Sequence, residues 1–159
     1  MPVERRKIQG LALSIFLSFL VISLDQLTKG LVSGILSPGD SIPFIKNILY
    51  VTLVNNSGAA FGLFKNSTVI FIWISIITIF LIVILLLRSC KVKSFFSRPL
   101  FNLGLVLVGA GAIGNLIDRL RFGYVIDFID VRIWPVFNIA DSSITIGTVL
   151  LFYSFIRLH

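Results

Sequence analysis

The sequence predicts an all-α membrane protein of four transmembrane helices, with a small extracytoplasmic region of β-sheet and loop. Of its 159 residues, 57% are hydrophobic and 13% are charged, whereas a soluble domain is about 45–50% apolar and about 25% charged. Apolar runs long enough to cross a bilayer recur four times along the chain. We therefore expect one integral-membrane domain over residues 1–159.

The four apolar runs are the predicted membrane helices, which we place at residues 8–24, 69–87, 100–117 and 139–158. The second run is 19 residues long and uncharged; at about 1.5 Å per residue it extends about 28 Å, close to the thickness of a hydrocarbon core. The first run follows basic residues as a signal peptide would, but no A-x-A-like cleavage site follows it, so we interpret it as a retained helix. Glycines and alanines in the third run are typical of close helix packing in lipid.

The stretch between the first two helices predicts a short strand at the membrane surface. Residues 37–40 read Ser-Pro-Gly-Asp, which is typical of a turn. Residues 47–55 read NILYVTLVN and are rich in β-branched and aromatic side chains. We expect a small sheet here, with an edge that could hold an extended peptide.

The basic residues predict the orientation. They precede the first helix and fill the connection at 88–98, and such residues are enriched in cytoplasmic loops. We therefore expect both termini in the cytoplasm, and we attribute the net charge of +7 to membrane anchoring rather than to nucleic-acid binding. Six of the seven acidic residues then face outward: Asp25, Asp40, Asp118, Asp127, Asp130 and Asp141.

The predicted chemistry is concentrated in the stretch Val125–Asp141, which we interpret as a loop. Asp127 is flanked by apolar residues and Asp141 directly precedes the last apolar run; a carboxylate beside hydrocarbon is unfavourable unless it is paired, hydrated or protonated. Two carboxyls sharing one proton supply both a base that activates water and an acid that protonates a leaving nitrogen. Asp130 is the other possible partner of Asp127, but we favour Asp141 because a helix holds it.

Metal or cysteine chemistry is not expected. The chain has one Cys and one His, so a disulfide within the chain and a zinc cluster of these residues are not available, and a metal site would need oxygen ligands alone. We expect no cofactor and no metal.

Other polar residues near the helix ends allow two interpretations. Asp25 and Lys29 are spaced i,i+4, which we interpret as an interfacial ion pair ending the first helix rather than as groups with a direct chemical role. Asn56 opens a small-residue stretch that favours a turn with Gly58 at positive φ, although its amide could also donate to an oxyanion.

The remaining candidate polar residues lie at the end of the third helix and at the start of the fourth. Asn115, Asp118 and Arg119 predict a group that orients the site, with Arg119 paired to Asp118 or Asp127. Asn138 or Asp141 could be an N-cap, but a cap would explain only one of them, so we favour a functional role for the pair.

Five ordered motifs resemble the lipoprotein signal peptidases (signal peptidase II), which are bacterial inner-membrane aspartic proteases. The matching stretches are Asp25–Lys29 (DQLTK), Asn56–Phe61 (NSGAAF), Gly114–Arg119 (GNLIDR), Val125–Phe128 (VIDF) and Phe137–Asp141 (FNIAD). The resemblance implies that Asp127 and Asp141 are catalytic. It implies that the site is lined or supported by Asp25, Lys29, Asn56, Asn115, Asp118, Arg119 and Asn138.

The resemblance also implies the substrate and the location. The substrate would be a prolipoprotein with a diacylglyceryl-modified Cys, cut just before that Cys by a monomer in contact with membrane lipid. The enzyme would lie in the bacterial cytoplasmic membrane with its active site at the outer face.

Two other classes compete with a peptidase. Buried acids and bases also mark the proton relays of transporters, but here they gather at one membrane face. A purely structural scaffold would leave these unfavourable carboxylates without a reason.

Overall fold

The structure is a computed structural model that describes residues 2–58, 67–91 and 99–157. In these residues the fold consists of four long helices and a three-stranded sheet. In chain order the elements are α1 Pro2–Ile35, β1 Ser41–Ile45, β2 Leu49–Asn56, α2 Thr68–Lys91, α3 Pro99–Phe122, β3 Val125–Asp130 and α4 Ile139–Ile156. Within those ranges, four helices are long and apolar enough to cross a membrane. The predicted fold class is confirmed.

The first helix is longer than predicted. We placed its end at residue 24, but α1 continues to Ile35, shortly before the Ser37-Pro38 pair that disfavours helical backbone. The Asp25–Lys29 pair therefore lies inside the helix and does not end it. Its two charges are buried against the other helices and paired with each other, rather than exposed at an interface.

The other three helices start within one residue of the predicted positions. The third ends later than expected, since α3 continues through Asp118 and Arg119 to Phe122. The small residues of α3 contact all three neighbouring helices. A Cβ on Gly109 would lie 3.3 Å from Ile82 of α2, and one on Gly114 would lie 2.7 Å from a carboxylate oxygen of Asp25 in α1. The predicted packing role of these residues is confirmed.

Two glycines, Gly104 and Gly147, bring α3 and α4 into close contact. A Cβ on Gly147 would lie 2.7 Å from the carbonyl oxygen of Gly104 and 2.9 Å from the amide nitrogen of Val108. Real Cβ atoms do not approach main-chain atoms this closely, so a side chain at residue 147 would force the helices apart.

The sheet has the order β1-β2-β3 and is antiparallel throughout. The predicted strand at residues 47–55 corresponds to β2, and the predicted turn before it is present, with Gly39 at a φ of 96°. Strand β3 was not predicted, since we interpreted Val125–Asp141 as a loop. It pairs with β2 so that Asp127 lies opposite Val54.

Strand β3 resembles a loop in sequence because it lacks the usual alternation. All its residues except Ile129 are buried, and a strand that is covered on both faces has no apolar–polar period. Its free edge is closed by Phe137, whose N–H donates to the carbonyl of Ile129 at 3.1 Å. The sheet thus holds β3 between β2 and the segment that leads into α4.

Candidate functional site

Asp127 and Asp141 line one cavity of about 290 Å³. Asp127 comes from β3 and Asp141 from the first turn of α4. The structure thus brings together the two carboxylates that the sequence singled out. Other residues lining this cavity are Asn56, Asn115, Arg119, Trp134, Phe137 and Thr145.

Two amides hold Asp127. Asn56 Nδ2 donates to one carboxylate oxygen at 2.8 Å, and Asn138 Nδ2 donates to the other at 2.7 Å. The residue is only 2% exposed. Burial, and then the negative charge of Asp141, raise the pKa of Asp127 to about 7, although the two amides and Lys29 act in the opposite direction.

Asp141 is held from two directions. Asn115 Nδ2 donates to Asp141 Oδ1 at 2.7 Å, and the main-chain N–H of Asn138 donates to Asp141 Oδ2 at 3.3 Å. In return, the N–H of Asp141 donates to Asn138 Oδ1 at 2.8 Å. This reciprocal pattern is a capping box at the start of α4.

The capping box corrects one sequence interpretation. We expected a cap to explain either Asn138 or Asp141 and to leave the other unexplained, but both belong to the same cap. The capping role also coincides with the site, because the Asn138 amide that caps α4 donates to Asp127 as well. Asn138 therefore bridges the two carboxylates, and it is completely buried.

The predicted turn at Asn56 is partly wrong. Gly58 is not among the positive-φ glycines of the described residues. The Asn56 side chain instead accepts the N–H of Gly58 at 3.0 Å while its amide reaches Asp127. Residues 59–61 of this motif lie outside the described residues.

A buried ion cluster lies behind the two aspartates. Lys29 Nζ is 2.8 Å from Asp25 Oδ2, 2.9 Å from Asp118 Oδ2 and 3.1 Å from Asn115 Oδ1. Asp25 and Lys29 are 0% and 2% exposed, so their pairing is not interfacial as we expected. Asp25 Oδ1 also accepts the N–H of Ala140 at 2.9 Å, which joins α1 to the first turn of α4.

Arg119 does not have the predicted partner. We expected it to pair with Asp118 or Asp127, but the ion pairs within 4.0 Å in the described part of the chain do not include it. Its guanidinium lies 5.1 Å from the ring centre of Phe71. Asp118 is engaged by Lys29 instead, which leaves Arg119 beside the cavity that holds both aspartates.

Asp130 has a separate set of contacts. Thr52 Oγ1 donates to it at 2.7 Å and the N–H of Arg132 at 2.8 Å. Burial acts to raise the pKa of Asp130, but these hydrogen bonds and the charge of Arg132 outweigh it and lower the pKa. This stretch is a strand, which excludes the helical start that would have brought Asp130 close to Asp127. Residues three apart on a strand point to opposite faces, so the two carboxylates diverge.

Gln26 was not among the predicted site residues. Its Nε2 donates to Asp118 Oδ1 at 2.9 Å and lies 3.3 Å from Asp25 Oδ2. One signal was available in the sequence: a polar amide inside a membrane helix needs a partner, and Gln26 directly follows Asp25.

Comparison with known proteins gives consistent matches over most of the chain. The family model for signal peptidase (SPase) II matches residues 17–157. The lipoprotein signal peptidase of Moorella thermoacetica is 44% identical over 137 residues, which cover 86% of this chain and 88% of that protein. That of Clostridioides difficile is 44% identical over 142 residues, covering 87% and 91%.

Two solved structures described as bacterial membrane enzymes have the same fold. One superposes with a TM-score of 0.82 at 34% identity, covering 92% of this chain and 88% of the other. The second gives a TM-score of 0.80 at 34% identity, covering 91% and 92%.

Proposed function

The chain belongs to the signal peptidase II family, and we propose on that premise that it is an aspartic endopeptidase in which Asp127 and Asp141 are the catalytic pair. It is a multi-pass membrane protein, and its family consists of proteases. The observation that supports the pair most directly is the single cavity that both carboxylates line, with Asn138 bridging them.

The reaction needs one proton shared by the two carboxyls. The ionised carboxylate takes a proton from water as the water oxygen bonds to the scissile carbonyl carbon, and the protonated carboxyl gives its proton to the carbonyl oxygen. The tetrahedral intermediate then collapses: the leaving nitrogen takes the proton that came from water off the first carboxyl as the C–N bond breaks, and a hydroxyl of the intermediate gives its proton to the other carboxylate, which restores the shared proton. A pKa of about 7 at Asp127 supports a pair that keeps one proton near neutral pH.

The proposed substrate is a prolipoprotein whose Cys already carries a diacylglyceryl group, and the cut falls just before that Cys. A second cavity of about 430 Å³ adjoins the first one and shares Trp134, Phe137, Asp141 and Thr145 with it. The apolar rings of Trp134 and Phe137 in its lining support a substrate that is partly hydrocarbon. We place the enzyme in the bacterial cytoplasmic membrane as a monomer, with this site at the outer face.

The test is cleavage by the purified protein in detergent. A diacylglyceryl-modified prolipoprotein and the same protein without the lipid are incubated with it, and gel mobility reports the loss of the signal peptide. We expect cleavage of the modified form only, unaffected by a metal chelator. Equal cleavage of both forms would contradict the proposed substrate, and chelator inhibition reversed by a divalent ion would contradict the aspartic mechanism.

A further inference from the structure

Gln26 contacts three buried acceptors where α1 packs against α3. Its Nε2 lies 2.9 Å from Asp118 Oδ1, 3.2 Å from the carbonyl oxygen of Gly114 and 3.3 Å from Asp25 Oδ2. Gln26 is half-buried, and charge-assisted hydrogen bonds to the two carboxylates hold its amide. Gln26 therefore acts on the same two carboxylates as Lys29: both contact Oδ2 of Asp25, but on Asp118 they contact different oxygens.

Lys29 cannot replace Gln26 in this role. An ammonium has three N–H donors, and those of Lys29 point to Asp25, Asp118 and Asn115. On Asp118, Lys29 reaches Oδ2, whereas Gln26 supplies the hydrogen bond to Oδ1. With a donor on each oxygen, the plane of the Asp118 carboxylate is fixed.

The orientation of Asp118 matters because its Oδ2 also accepts a main-chain hydrogen bond from β3. The donor is the N–H of Ile126, at 3.1 Å, and both groups are buried. Ile126 immediately precedes Asp127. Rotation of the Asp118 carboxylate would deprive this N–H of its acceptor, and a buried N–H without an acceptor is unfavourable enough to shift the strand.

We infer that Gln26 is a positioning residue for catalysis, which holds Asp118 so that Asp118 holds the backbone of β3 at Asp127. Lys29 acts on the other member of the pair, because it contacts Asn115 and Asn115 donates to Asp141. The inference rests on the proposed function, in which Asp127 and Asp141 are catalytic. Lys29 thus contacts groups on both sides of the pair, through Asp118 and through Asn115, whereas Gln26 acts through Asp118 alone.

Two substitutions of Gln26 and one matched control test this role. Gln26→Met keeps the length of the side chain and removes the amide. Gln26→Glu keeps the shape, but the oxygen that takes the place of Nε2 donates a hydrogen bond only when the carboxyl is protonated. The control is Ser33→Ala on the same helix, because among the described residues the Ser33 hydroxyl bonds only to the carbonyl of Lys29 one turn earlier.

For Gln26→Met, we expect kcat to fall roughly tenfold with KM within about twofold, a smaller loss than the roughly hundredfold of a 1 Å misplacement. Gln26→Glu should be worse than Gln26→Met at pH 8, because its charge faces Asp25 and Asp118. Relative to the unmodified protein, its activity should recover as the pH is lowered and the new carboxyl gains a proton. Ser33→Ala should keep normal kcat.

Two outcomes would overturn the inference. In the first, both Gln26 variants have the same kcat as Ser33→Ala at equal amounts of folded protein. In the second, they have a lower Tm but keep normal kcat. The second would make Gln26 structural only. An infrared measurement decides without turnover. The carboxyl band of Asp127 is identified by its loss in Asp127→Asn, and its titration midpoint should move in Gln26→Met but not in Ser33→Ala.

An unmoved midpoint in Gln26→Met would also overturn the inference. Failure of the proposed function has a different signature, because then the unmodified protein itself does not cleave the lipid-modified prolipoprotein. In that case the infrared titration still decides whether Gln26 positions Asp127.

Discussion

At the scale of single residues, the proposed catalytic pair is held by amides rather than by cations. Asn56 and Asn138 donate to Asp127, and Asn115 donates to Asp141. An amide orients a carboxylate without neutralising it, so the mutual repulsion of the two aspartates persists and favours one shared proton. Lys29 lies one residue further away, on the far side of Asn115.

The first prediction concerns which aspartates are catalytic. Asp127→Asn and Asp141→Asn each keep the shape of the side chain but cannot exchange a proton. We expect each to lose most of the cleavage activity, with the double variant little worse than either, because the two groups act as one unit. The measurement is the cleavage rate of lipid-modified prolipoprotein by folded, membrane-embedded protein.

Asp130→Asn is the matched control for that experiment, since it makes the same change on the same strand. It should stay substantially active, because the contacts of Asp130 are with Thr52 and Arg132. An inactive Asp130→Asn together with an active Asp141→Asn would show that the pair is wrongly assigned.

The second prediction concerns stability against pH. The pKa of Asp127 is about 7 in the folded protein, against an ordinary value of 3.8, so between these values the folded state binds the proton more tightly than the unfolded state. The free energy of unfolding should therefore fall as the pH rises from about 4 to about 7. Asp127→Asn should reduce this dependence, as measured by Tm in detergent at pH 5 and pH 8.

The same titration should appear in the activity. Above about pH 7 the pair loses its shared proton and kcat should decline. A Tm difference between the two pH values that is identical in Asp127→Asn and in the unmodified protein would contradict the assignment of this pKa.

At the scale of the elements, helices were predictable from the sequence and β3 was not. The spans follow from length and hydropathy, which are local properties. Strand β3 depends on its partner β2 and on Phe137 covering its edge, and neither contact is visible in VIDFID itself. The end of α1 was misplaced for a similar reason, since Asp25 and Lys29 look like a helix boundary until α3 is present to bury them.

The candidate site was predicted unevenly for the same physical reason. Asp127 and Asp141 stand out because a carboxylate beside apolar residues is conspicuous. Which donor reaches which oxygen depends on tertiary packing, so the partner predicted for Arg119 was wrong and Gln26 was missed.

The third prediction concerns the contact between α3 and α4. Gly147→Ala would push a Cβ against the main chain of Gly104 and Val108, and overpacking of this kind destabilises by about 1–3 kcal/mol. We expect a lower Tm in detergent and reduced cleavage, because α3 carries Asn115 and α4 carries Asp141.

Gly34→Ala is the control for this change. A Cβ on Gly34 has no atom within 4 Å, and Ala favours a helix over Gly by up to about 1 kcal/mol. Its Tm should be unchanged or higher. If both alanine variants melt at the same temperature, the close approach of the two helices does not limit stability.

At the scale of the whole molecule, the proposed site draws on three of the four helices and on the sheet. The fourth prediction concerns how this assembly is oriented in the membrane. The basic residues at positions 5–7, near the start of α1, and those at residues 88–98 predict cytoplasmic termini, which places the sheet outside. Reporter fusions after Lys46 and after His159 should therefore report opposite sides of the membrane.

A matched pair of fusions makes this test specific. Fusions placed in the connection at 88–98 and after His159 should report the same side. Opposite signals from those two, or equal signals from Lys46 and His159, would contradict the orientation.

The order of the site along the chain has a consequence for how the protein is made. Asp25, Asp118 and Asp127 are synthesised in that order, but the proposed partner of Asp127 is Asp141, in the first turn of α4. The cap of that helix and the bridge between the aspartates are the same side chain, Asn138. On the proposed assignment, a nascent chain in which α4 has not yet been inserted should therefore lack a working pair, and proteolysis should begin only once α4 is in place.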